Sequence, residues 1–158
     1  MKLKESDDGG ILLEEIPPFL FHLLGEISSR AEIKHPRVDA RFFPDPSEDS
    51  ELIEDWKSLV QPELQAIFQS ARETVRADLR GASERDGSMS LQIPKPHGDA
   101  WLSALNQARL AMVEEAGFGE KDMAAEVPDD LRTPRDAALF QLGFYGFLQE
   151  CLVRMQGD

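Results

Sequence analysis

Few side chains in this sequence have types and spacings that could do chemistry. His22 and Glu26 stand four residues apart, the separation at which two side chains meet on one helical face, and such a pair could move a proton. No second histidine or nucleophile is tied to them by spacing, so they read as a surface pair. An EF-hand loop starting at Asp45 would need glycine sixth and glutamate twelfth, where this chain has Ser50 and Trp56, so calcium is excluded and no metal ligand set is assigned. Arg72, Arg76 and Arg80 recur every fourth residue and make a basic stripe, yet Glu73 and Asp78 beside them give a mixed-charge, solvated face. The remaining polar set is Asn106, Arg109, Gln141, Gln149 and Glu150, which interrupts or borders the apolar faces of the two C-terminal helices. Its arginine, amides and carboxylate could hold a polar ligand, with Glu150 accepting a proton, or could satisfy one another. No catalytic residue and no cofactor follow, because a Gly-rich phosphate loop and a nucleophile motif are both missing from the sequence.

Composition narrows the classes further. A net charge of −13 repels phosphate backbones, which makes nucleic acid an unfavoured partner. No apolar run reaches bilayer length and no secretory leader is seen, so neither a membrane nor export is expected. A lone cysteine, Cys151, excludes an intrachain disulfide, agrees with a reducing cytoplasm and falls on an apolar helix face.

The elements that must position these residues are mostly helical. The patterning predicts one domain over residues 1 to 158, a bundle of about five helices with a small hairpin or three-stranded sheet on its N-terminal side. Residues 2 to 16 read as the hairpin. Pro17 and Pro18 open a first helix with Ile16, Phe19, Leu20, Leu23 and Ile27 on one face. Residues 34 to 50 read as an extended connection anchored by Phe42 and Phe43, and Ser47, Glu48 and Asp49 start a helix that buries Leu52, Trp56 and Leu59. A helix from Pro62 to Gly81 follows, then a loop over 81 to 88 and a strand through Met89, Leu91 and Ile93 able to join the hairpin. Asp99 is expected to cap a helix over 100 to 116 that ends at Gly117, with Trp101, Leu105, Ala108 and Met112 as its core stripe.

Residues 118 to 133, which include Pro128, Asp129 and Asp130, read as a mobile acidic loop. Thr133, Pro134 and Asp136 start the last helix, whose broad arc holds Ala137, Phe140, Phe144, Phe147, Leu148, Cys151, Leu152 and Met155. Gly143 and Gly146 on its opposite strip suggest close approach by a neighbour. A polar link between the last two long helices is expected through Asn106 and either Gln141 or Gln149.

Trp101, Leu102, Ala104, Leu105, Asn106, Arg109 and Leu110, with Leu148, Gln149 and Glu150 and the segment Arg41 to Pro44, form a motif set in consistent order. On these residues the chain from about residue 11 onward resembles the domain-of-unknown-function family two-thousand-seventeen, also called AosR-like and typical of actinobacteria. The resemblance implies a small, mostly helical cytoplasmic protein without an established enzymatic activity, often encoded beside the adaptor of the Clp protease. The family name refers to a stress regulator, but a thiol switch needs two nearby cysteines and this chain has one.

Three functions stay open. The first is a non-catalytic protein-interaction or regulatory domain with an unknown protein partner, linked through family genome context to the Clp adaptor. The second is a small-molecule binder or enzyme with a polar site between the last two long helices. The third, by family analogy alone, is a stress-responsive transcription regulator.

Overall fold

The computed structural model describes residues 1–124 and 130–157. Its sheet starts with the expected hairpin of β1 (Lys2–Glu5) and β2 (Ile11–Ile16). A second hairpin, β3 (Ser83–Arg85) and β4 (Ser88–Ile93), lies against it, giving an antiparallel sheet of order β1-β2-β4-β3. The segment expected to be a loop is therefore partly strand. Asp86 and Gly87 both have positive φ, 52° and 78°, the conformation of a two-residue hairpin turn, so Asp-Gly was the turn signal inside that segment. Alternation from Leu13 would turn Glu15 inward. Instead the register shifts between Leu13 and Ile16, Glu15 takes a φ of 53°, and both apolar residues stay buried.

The first helical stretch is two pieces, α1 (Pro18–Gly25) and α2 (Ile27–Ala31), and Ile16 belongs to the strand before them. Phe19 is half exposed and meets Phe140 with ring centroids 5.7 Å apart. The connection over 34 to 50 is not wholly extended, since α3 (Pro36–Phe42) forms within it. Proline suits the first helical position, and His35 Nδ1 accepts the Arg37 N–H at 3.1 Å as the cap. Phe42 and Phe43 do anchor the segment, packing on Phe68 at 5.9 and 5.7 Å.

Asp49 caps α4 (Ser50–Leu59), accepting the N–H groups of Glu51 and Leu52. Of the expected buried face of α4, Trp56 is half-buried, but Leu52 and Leu59 are 55% and 69% exposed. The long helix α5 (Gln61–Arg80) follows, burying Ala71 and Val75. After a single helical turn over Lys95–His97, α6 (Gly98–Ala116) ends at Gly117 as its sequence indicates. Asp99 sits inside the first turn rather than at the cap, where its charge still favours the helix N-terminus.

The core is organised on α6. Trp101, Ala104, Leu105, Ala108, Ala111 and Met112 are all buried, against Leu13, Leu91 and Ile93 of the sheet and against Leu24 and Ile27. In the region read as a mobile loop, α7 (Glu120–Ala124) forms, and Arg135 lies 4.8 Å over the ring of buried Phe118. Pro128 and Asp129 lie outside the described residues. The last helix, α8 (Pro134–Gln156), opens with a full capping box between Thr133 and Asp136. Its buried side is turned from the expected arc toward Leu142 and Tyr145. Ala137 and Phe147 are exposed, whereas Tyr145 is fully buried because its hydroxyl finds a partner inside.

Candidate functional site

α6 carries polar side chains on two opposite flanks, since positions 107 and 109 are about 200° apart at helical geometry. On one flank Gln107, 2% exposed, accepts from Arg72 at 2.8 Å and donates to the Ser103 hydroxyl at 3.2 Å. Arg72 and Arg76 both pair with Glu32 just beyond α2. The basic stripe is thus divided: Arg72 is mostly buried, Arg76 pairs with Glu32 at the surface, and Arg80 is exposed. It is not the mixed face with Glu73 and Asp78 that the sequence suggests. Asp78 turns inward, accepting the Trp101 indole N–H at 2.8 Å and sitting 2.9 Å from His97 Nδ1. This trio, absent from the sequence reading, joins the end of α5 to the start of α6. Its signal was an acid seven residues after buried Ala71 on the same helical face.

On the other flank, Arg109 crosses to α8 and donates to Gln149 Oε1 at 2.7 Å. Gly146 faces it, and a Cβ there would lie 3.4 Å from the guanidinium, an ordinary van der Waals contact. The neighbour at Gly146 is thus a side chain at contact distance rather than a backbone in close approach, and the Arg109–Gln149 bond supplies the polar link between the two helices. Asn106 has no part in that link because it points to solvent, one residue off the buried stripe. Gln141 belongs to a separate cluster. Buried at 2% exposure, it donates to Glu26 and to the Tyr145 hydroxyl, both at 2.8 Å, and accepts from Arg30 at 3.3 Å. The Tyr145 hydroxyl donates to the Leu23 carbonyl at 2.5 Å, and burial pushes its phenol above the ordinary range. His22 Nε2 lies 3.6 Å from Glu26 at the exposed edge of the same cluster, a surface pair as its spacing implies.

Between α6, α7 and α8 lies an open groove of about 770 Å³. Arg109 and Gln149 line its polar side, and Leu102, Leu139, Phe147 and Val153 its apolar wall. Phe147 and Val153 are 48% and 57% exposed. Two carboxylates also line it, but Asp122 pairs with Arg135 and Glu150 lies 3.9 Å from Arg154. Hydrogen bonds from the Gly119 N–H and then from Arg135 hold the Asp122 carboxyl below its usual range. Arg109 has no carboxylate partner among the described residues, and its buried Nε lacks a hydrogen bond there. The five polar candidates therefore separate: Arg109, Gln149 and Glu150 share the groove, Gln141 stabilises α1, α2 and α8 elsewhere, and Asn106 joins neither. Among the described residues no group of three or more metal-ligating side chains comes together.

A family model described as domain of unknown function (DUF2017) matches residues 5–156. The chain belongs to the DUF2017 family. Comparison with curated proteins and with solved structures finds no match to this DUF2017 chain. The matched span includes both α6 and α8 and therefore the whole helical frame of the groove.

Proposed function

We propose that this DUF2017 chain is a non-catalytic protein-interaction domain that engages a protein partner through the groove between α6 and α8. The observation that carries this reading is the apolar wall, on which Phe147 and Val153 remain exposed beside the Arg109 guanidinium that donates to Gln149. Exposed apolar side chains around a cleft gain free energy when a partner covers them, and Arg109 offers a fixed charge to an acidic group of that partner. A regulatory role in the cytoplasm, with a partner connected to the Clp adaptor, is the family-level form of this proposal. No helix among the described residues is long and apolar enough to cross a membrane.

A photo-crosslinking residue at position 147, compared in cells with one at position 2, tests the reading. One discrete adduct is expected from 147 alone, and Val153→Asp should remove it. Indistinguishable patterns from both positions would reject the groove as the docking site. Arg109, which has no carboxylate partner among the described residues, gives a second reading, binding of a small anionic ligand, which predicts a thermal shift with an anionic metabolite that Arg109→Gln abolishes. The transcription-regulator reading draws less support, because Arg72 and Arg76 are occupied by Glu32 and the net charge is −13. Salt-dependent retention on DNA at low ionic strength would restore it.

A further inference from the structure

The helix α4 is amphipathic, yet none of its residues is buried. At about 100° per residue, Leu52, Ile53, Trp56 and Leu59 fall on one side, while Glu51, Glu54 and Asp55 fall on the other. Ile53 and Trp56 are half-buried, Leu52 and Leu59 are 55% and 69% exposed, and Val60 and Ile67 on the following turn and α5 are 41% and 59% exposed. Four of the large apolar residues most open to solvent are thus gathered in the hairpin of α4 and α5. Such a surface marks an interaction site when its rim is polar.

Charge selects what covers it. Between residues 48 and 63 there are six carboxylates and one lysine, all exposed. None of the six forms an ion pair among the described residues, whereas Glu26, Glu32, Glu114 and Asp122 elsewhere do. A second copy of this chain would set the same carboxylates against one another, and an anionic lipid surface would repel them. We infer that the hairpin of α4 and α5 is a second docking face, fitted to a partner protein whose apolar stripe is rimmed by lysine and arginine. This face lies on the α5 flank of α6 and is independent of the groove on the α8 flank.

Two synthetic helical peptides with one apolar stripe, carrying lysine or glutamate at every polar position, provide the probe. Isothermal titration against the full chain is expected to show the lysine peptide binding at least tenfold more tightly than the glutamate peptide. The triple variant Leu52→Ser, Leu59→Ser, Ile67→Ser keeps the charge and should weaken binding at least tenfold with an unchanged thermal midpoint. Phe147→Asp should leave this affinity unaltered, so loss of binding there would assign the peptide to the groove and overturn the inference. Equal binding of both peptides, full affinity in the triple-serine variant, dimerisation abolished by those serines, or binding of anionic vesicles through this face would each overturn it too.

Discussion

α4 and α6 both carry an apolar stripe at helical spacing, but that of α4 is at most half-buried. Every residue of the expected α6 stripe is buried, while none of α4 is. The stripe shows that a helix needs a cover without specifying whether the same chain supplies it. α6 packs against α2, α5 and α8 and shares one core cluster with Leu13, Leu91 and Ile93 of the sheet, whereas the main neighbour of α4 among the described residues is α5. The sharpest way to break this contrast is to truncate both stripes. Trp101→Ala should cost about 3–5 kcal/mol, as for other buried large-to-small changes, and also removes the indole donor of Asp78. Leu59→Ala should stay within about 0.5 kcal/mol. Urea unfolding followed by far-UV circular dichroism measures both, and comparable losses would mean that α4 is covered in solution.

The same contrast holds for amides. Gln141 and Asn106 both interrupt apolar rows, but Gln141 is enclosed by Glu26, Arg30 and Tyr145, while Asn106 is exposed. Gln141→Leu leaves Glu26 short of a donor in a half-buried place and should destabilise by about 1–3 kcal/mol. Asn106→Leu should be nearly neutral. Equal effects in urea titrations would remove the distinction.

Much of the fold was legible where local chemistry and packing agree. Pro62 and the spacing to Leu79 gave α5, and Thr133, Pro134 and Asp136 gave the start of α8. Legibility failed where a turn or cap used an ambiguous residue: His35 as the cap of α3, and Asp86-Gly87 inside a polar segment. In the site, Arg109 and Gln149 could be named from their place at the helix borders. Their pairing with each other, and Gln141 with Glu26 across more than a hundred residues, required the chain's tertiary path. Asp78 and Gln107 were missed because polar residues on a buried face acquire meaning only when their partners are known.

Helix starts allow a finer comparison. Thr133 closes a capping box on α8, whereas His97 caps α6 with no side-chain bond. Thr133→Ala should cost about 1 kcal/mol. His97→Ala acts instead through Asp78, so a double-mutant cycle with Asp78→Asn should show coupling that Thr133 lacks.

The smallest effect concerns Cys151, beside the groove helix face yet half-buried. Burial raises its thiol above the ordinary value, ahead of the opposing influence of Arg154. A raised pKa means less thiolate at neutral pH, so alkylation should be slower than for a free thiol and should accelerate as pH rises toward that pKa. Iodoacetamide labelling against a model peptide between pH 7 and 9 measures this. A rate above the peptide's at pH 7 would show an activated thiol and reopen a redox role for the single cysteine. A slow rate leaves Cys151 as a packing residue.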